Sequence, residues 1–220
     1  MRTKSIIDHY MRYSLLFLFF WFFMQPLHAQ SEKETILFFG DSITAGYGIE
    51  QDKAFPALIR NKIDSLGLNF KVQNGGLSGE TSAGGLRRID WMLQNEIDIF
   101  VLELGGNDGL RGIEPQSTKQ NLIDITKKVR QKYPDAAIVL AGMQVPPNLG
   151  QDYTRQFKAI YPDLAKELGV ALIPFLLEDV GGKSDLMQAD GIHPTAAGHK
   201  IMAENVWDTL KPILKERRAQ

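Results

Sequence analysis

Along residues 30–220 the chain alternates short apolar runs with stretches in which apolar residues recur every three or four positions. Thr35–Phe39 is an unbroken run of the buried-strand kind, stopped by Gly40. Phe55, Leu58, Ile59, Ile63 and Leu66 then fall at helical spacing, with Pro56 acceptable in a first turn. Further strands are predicted at Phe70–Gln73, Ile97–Leu104, Ala136–Ala141 and Val170–Phe175. Helices are predicted around Leu86–Leu93, over Asn121–Tyr133, over Tyr153–Leu168, and from Thr195, as N-cap, to about Leu214. Five strands alternating with helices predict an α/β fold, a parallel sheet covered on both faces. Nothing repeats, no stretch has linker character, and the length suits one domain.

The first 29 residues read differently. Arg2, Lys4 and Arg12 precede the apolar run Leu15–Met24, which at ten residues is too short for a helix across a bilayer, where roughly 20 are needed. It suits the apolar region of a secretory signal peptide, with cleavage after Ala29 and a second start available at Met11. Residues 30–220 are then one domain, exported to the periplasm or beyond.

Charge and composition narrow the chemistry. With 25 basic against 26 acidic residues the net charge is −1, and removal of the leader leaves 22 against 25. A nucleic-acid partner is not expected of such a balance. The absence of cysteine removes thiol nucleophiles, disulfides and Cys-based zinc sites. Outside the leader only His193 and His199 remain, too few nitrogen ligands for a convincing metal site.

Ligands of open α/β sheets bind beyond the carboxyl ends of the strands. Four unusual segments follow strands here: Gly40-Asp41-Ser42 with Gly46, Asn74-Gly75-Gly76-Leu77-Ser78-Gly79, Gly105-Gly106-Asn107-Asp108, and Asp190-Gly191-Ile192-His193-Pro194. Ser42 opens a helical region, where its amide would face a developing negative charge. A serine hydroxyl needs a base. His199 falls inside the predicted last helix, whereas His193 stands in a constrained loop, with Asp190 placed to hold its Nδ1–H while Nε2 faces Ser42. Donors for an oxyanion are the Ser42 amide, the Asn107 side chain and one of the glycines Gly75, Gly76 or Gly79. Asp41 argues against a phosphate-bearing cofactor in the same loop.

These residues resemble the four sequence blocks of the SGNH (GDSL) hydrolases from about Ile36 to the last helix. The similarity is greatest to the periplasmic thioesterase, lysophospholipase and arylesterase branch, through Glu103–Gly112 and Met187–Pro194. The resemblance implies a flavodoxin-like three-layer sandwich, no cofactor, Gly79 as the oxyanion glycine and Asn107 as the side-chain donor. It also implies an acyl-ester or lysolipid substrate, with transient contact with membrane lipids and no obligate protein partner. Carbohydrate O-acetyl esters and non-catalytic lipid or glycan binding are the rival readings. Leu110, Arg111, Gly112 and Ile113 are expected to shape the acyl pocket with the Met143–Gly150 loop.

Overall fold

A computed structural model of the chain describes residues 32–218; the leader and its cleavage site lie outside them. Five parallel strands form one sheet: β1 Glu34–Gly40, β2 Phe70–Gly76, β3 Ile99–Glu103, β4 Ala137–Ala141 and β5 Ala171–Ile173, in the order β2-β1-β3-β4-β5. The chain runs outward from β1 to β2, then returns across β1 to lay down β3, β4 and β5. The order reverses between β1 and β3, whose register sets Gly40 beside Glu103. A crevice at the carboxyl ends of these two strands is the expected place for a ligand.

Both sheet faces are covered, which is why the strands read as continuous apolar runs. Ile36, Leu37, Phe38 and Phe39 of β1 are buried, as are Ile99, Phe100, Val101 and Leu102 of β3. Helix α2 (Phe55–Ser65) packs with α7 (Ala196–Arg218). Helix α3 (Ser82–Met92) packs with α5 (Pro115–Lys132), and α5 with α6 (Gln151–Leu168). Two further helices are short: α1 (Ser42–Ala45) and α4 (Gly106–Leu110). The architecture is the α/β parallel-sheet fold that the alternation predicts. Among the described residues no helix is long and apolar enough to cross a membrane.

Local signals explain most boundaries, and two differ from expectation. Helix α5 starts six residues before Asn121, because Pro115 serves at its first turn and Thr118 is buried against its neighbours. Strand β2 runs through Asn74-Gly75-Gly76, expected as loop, because those residues continue the ladder with Phe38, Phe39 and Gly40 of β1. Gly76 is needed there, since a Cβ would run into the backbone of Ala45. Thr195 caps its helix as predicted, its hydroxyl accepting from Gly198 N–H at 3.3 Å, and the Thr81 hydroxyl likewise accepts from Gly84 N–H at 3.2 Å.

Candidate active site

Helix α1 is a single turn at the end of β1, and its geometry comes from the residues on either side of Ser42. Asp41 is the N-cap; its Oδ1 accepts from Ile43 N–H at 2.9 Å. Gly46 ends the turn at φ +76°, a conformation glycine adopts without penalty. Ser42 is thereby fixed as the first helical residue. Its N–H has no acceptor within the helix, and its side chain is nearly buried, facing the crevice.

His193 is delivered by the loop before α7. An antiparallel bridge between Met187 and Pro194 and the bond from Gln188 N–H to the His193 carbonyl, 2.7 Å, close this loop into a narrow hairpin. Gln188 Nε2 also donates to the carbonyls of Tyr47, 2.7 Å, and Pro194, 3.0 Å, tying the hairpin to the α1 region. The Tyr47 ring lies against the imidazole with centroids 4.6 Å apart. Within the loop, Asp190 Oδ1 accepts from Ile192 N–H at 2.9 Å and from His193 N–H at 3.0 Å, a local turn that Asp forms readily. Its Oδ2 lies 2.6 Å from His193 Nδ1, and His193 Nε2 lies 2.9 Å from Ser42 Oγ. These hydrogen bonds, the His193 side-chain bond foremost, hold the Asp190 carboxyl down at about 2, against an ordinary 3.8. The carboxylate is ionised at neutral pH and dictates a proton on Nδ1, which leaves Nε2 as the acceptor for the serine.

The second and third loops converge on the same crevice. Glu80 N–H donates to the Leu77 carbonyl at 3.1 Å and closes a turn in which Gly79 takes φ +77°. The rival glycines are excluded by place: Gly75 and Gly76 belong to β2, and Gly76 N–H is spent on Asn74 Oδ1 at 2.9 Å. The Gly79 turn is pinned from both sides. Arg88 forks the Glu80 carboxylate and donates to the Gly75 carbonyl at 2.9 Å, while Arg111 Nη2 reaches the Gly79 carbonyl at 3.1 Å. Asn107, on α4, donates its amide to Asp41 Oδ2 at 3.0 Å and to the Glu80 carbonyl at 3.1 Å. Next to it Asp108, wholly buried, accepts from the N–H of Ser82 at 2.8 Å and its hydroxyl at 2.5 Å, and from Thr118 at 3.2 Å. That clamp joins the starts of α3, α4 and α5.

The crevice has a volume of about 500 Å³, in the usual range for small-molecule sites. Its walls are mainly apolar, formed by Ile43, Leu110, Met143, Val145, Phe175 and Leu177, with Ser42, Asn107 and His193 also lining it. Of the four residues expected to shape the pocket after Asn107, only Leu110 does so. Arg111 turns back to Gly79, Gly112 forms a bend at φ +66°, and the Ile113 carbonyl is held by the Tyr153 hydroxyl at 2.7 Å. The expectation for Arg111, Gly112 and Ile113 is thus corrected, because α4 ends at Leu110 and the chain leaves the crevice there. Met143 and Val145 are where the Met143–Gly150 loop was expected to contribute. Phe175 and Leu177 were missed: the fifth strand was expected to run to Phe175, but β5 ends at Ile173, so both residues lie beyond its carboxyl end.

Residues 38–201 match the profile of the GDSL-like Lipase/Acylhydrolase family. The chain belongs to that family. This acylhydrolase is 43% identical over 189 residues to Esterase TesA of Pseudomonas aeruginosa, an alignment covering 86% of this chain and 93% of that protein. It is 42% identical over 182 residues to the Thioesterase 1/protease 1/lysophospholipase L1 of Escherichia coli K12, covering 82% and 85%. A crystal structure of TesA superposes with a TM-score of 0.78 at 44% identity, over 81% of this acylhydrolase and 99% of that chain.

Proposed function

We propose that this acylhydrolase is a serine esterase that cleaves carboxylic acyl esters through an acyl-Ser42 intermediate. The observation that carries the reading is the relay Asp190 Oδ2–His193 Nδ1, 2.6 Å, and His193 Nε2–Ser42 Oγ, 2.9 Å. As Ser42 Oγ attacks the substrate carbonyl, Nε2 takes the hydroxyl proton, and Asp190 stabilises the imidazolium that results. The carbonyl oxygen becomes an oxyanion, to which the Ser42 and Gly79 amides and the Asn107 side chain donate. His193 then hands its proton to the departing alcohol, and a water activated by the same nitrogen releases the acid.

The crevice walls favour an apolar acyl group. With Ser42, Asn107 and His193 assigned to chemistry and Asp41 bonded to Ile43 N–H and Asn107, Gln144 is the one polar side chain left on the lining. A carbohydrate would need a ring of polar partners that this wall does not offer. Oxygen esters with short to medium acyl chains, aryl esters and lysophospholipids are therefore the substrate class, with thioesters chemically accessible to the same serine. The basic and apolar character of residues 1–24 supports export, which would bring such lipids, rather than acyl-CoA, to the enzyme.

The test is hydrolysis of p-nitrophenyl esters of graded acyl length by the protein purified from Gln30, beside Ser42→Ala. Loss of turnover by about 10³-fold or more in the variant is expected. A folded wild type no faster than its variant on every ester would overturn the reading.

A further inference from the structure

Beneath the crevice lies a second acidic residue that the reaction does not use. Glu103, the last residue of β3, is buried (1% exposed) directly behind Gly40 and Asp41. Its Oε2 accepts from Asp41 N–H at 3.1 Å and from the Thr44 hydroxyl at 2.7 Å. Its Oε1 is buried and has no hydrogen-bond donor. The space is tight, since a Cβ on Gly40 would collide with the Glu103 carboxyl. The neighbouring ionisable groups are Asp41 from the β1–α1 junction, Asp108 from α4, the Tyr161 hydroxyl from α6, and His193 across the crevice. Among the described residues no Lys or Arg forms an ion pair with Glu103 or Asp41.

Two buried carboxyls side by side without a cation cannot both be charged. An oxygen with no donor beside it is where a proton belongs, because a protonated carboxyl supplies a donor of its own. The Glu103 carboxyl lies against Asp41, whose backbone N–H it accepts at 3.1 Å. Burial, with the Asp41 charge beside it, pushes the Glu103 carboxyl well above the ordinary range. Each Asp41 oxygen already accepts a donor, Oδ1 from Ile43 N–H and Oδ2 from the Asn107 amide, whereas Glu103 Oε1 has none, so the proton belongs on Glu103 and the charge on Asp41.

Asn107 supplies the reason such a pair is useful. Its amide nitrogen carries two hydrogens, and both are taken, by Asp41 Oδ2 and the Glu80 carbonyl. An oxyanion can gain this donor only by drawing one hydrogen away from a protein acceptor. If Asp41 were held by Asn107 and Ile43 alone, giving up Asn107 would leave a buried carboxylate with one donor. We propose that Glu103 is a positioning residue, a neutral acid whose O–H remains on Asp41 so that Asn107 can be released to the oxyanion. The inference rests on the reading of Asn107 as an oxyanion donor. It makes Asp41 a resting place for that donor and Glu103 its support.

The deciding experiment pairs infrared spectroscopy with kinetics on the mature protein. At pH 7.5, where exposed carboxyls are ionised, wild type is expected to show the carbonyl stretch of a protonated acid, absent from Glu103→Gln. Because Gln is neutral and also donates, kcat in Glu103→Gln should stay within about threefold of wild type, with an unchanged pH profile. Glu103→Leu removes the donor, and kcat should fall roughly tenfold or more at little-changed KM, with equally weaker inhibition by an ester phosphonate. No protonated-acid band in wild type, or a Gln variant as impaired as the Leu variant, would overturn the proposal. Should Leu prevent folding, the band and the Gln variant still decide. A wild type inactive on every ester would instead sink the esterase reading and leave the infrared result standing.

Discussion

Asp190 holds His193 at two levels: one carboxylate oxygen lies 2.6 Å from the ring nitrogen Nδ1, and the other accepts from the histidine's own backbone N–H at 3.0 Å. The same side chain thus shapes the loop and sets the tautomer. Asp190→Asn separates the two effects. The Asn carbonyl can keep the backbone bonds, but its NH₂ group would face Nδ1 and favour the tautomer with its proton on Nε2, aimed at Ser42. We expect kcat to fall by about 10³-fold with KM and melting temperature nearly unchanged. A large drop in melting temperature would show that the carboxylate serves the loop more than the ring.

The apolar crevice predicts how rate depends on acyl length. Each methylene that leaves water for the walls formed by Met143, Val145, Phe175 and Leu177 is worth up to about 0.8 kcal/mol, or nearly fourfold. Values of kcat/KM should climb with chain length until the crevice is full, then level off. Leu177→Trp, which takes space from the wall, should lower kcat/KM for the longer esters about tenfold while sparing the acetate. A flat length profile in wild type would show that the acyl chain lies elsewhere.

His199 is the histidine that the sequence sets aside, and its environment agrees with a structural role. It is buried in α7, stacks on Phe55, and its Nδ1 accepts from Phe55 N–H at 3.1 Å. Burial, with a smaller contribution from the charge of His193, lowers its pKa from 6.5 to about 4. The folded protein therefore binds fewer protons here than the unfolded chain between these values. Stability from this site is full above 6.5 and is lost as the pH falls through 4, at a cost of about 2 kcal/mol by pH 5. Urea midpoints at pH 7 and pH 5 should show that loss in wild type and much less of it in His199→Gln. Equal losses in both would place the acid sensitivity elsewhere.

Gly76 offers a test of how strictly the nucleophile is placed. A Cβ there would overlap the backbone of Ala45 in α1, so Gly76→Ala must shift the turn that carries Ser42 or the end of β2. A stability loss of about 1–3 kcal/mol is expected, with a larger fractional loss of kcat than of bound substrate. If kcat survives intact, the turn has more freedom than its packing suggests.

Much of the candidate site was legible because the proposed chemistry requires particular residue types at strand ends. Ser42, Asp190 and His193 could be chosen by elimination, since one histidine sat in a loop and the other in a helical pattern. The fold was legible for a related reason: strands buried on both faces leave unbroken apolar runs. What escaped notice depended on contacts between distant segments. That Arg111 turns toward Gly79 is decided by where α4 ends, which no periodicity marks in a five-residue helix. Gly75 and Gly76 read as loop because glycine is a poor strand former, yet pairing with β1 carries them into the sheet. Glu103 did leave a trace, as the one charged residue at the end of an otherwise apolar run, Ile99–Leu102. Its relation to Asp41 could not be read without knowing that β1 and β3 are neighbours.

The distance along the chain between Ser42 and His193 also bears on the order of events in synthesis. The proposed nucleophile lies in the first turn after the first strand, while its proposed base immediately precedes the last helix. A growing chain carries the serine long before the histidine, and among the described residues upstream of 190 there is no other histidine. Esterase activity is therefore a property of the finished molecule alone, and esters near a nascent chain are untouched until folding is done.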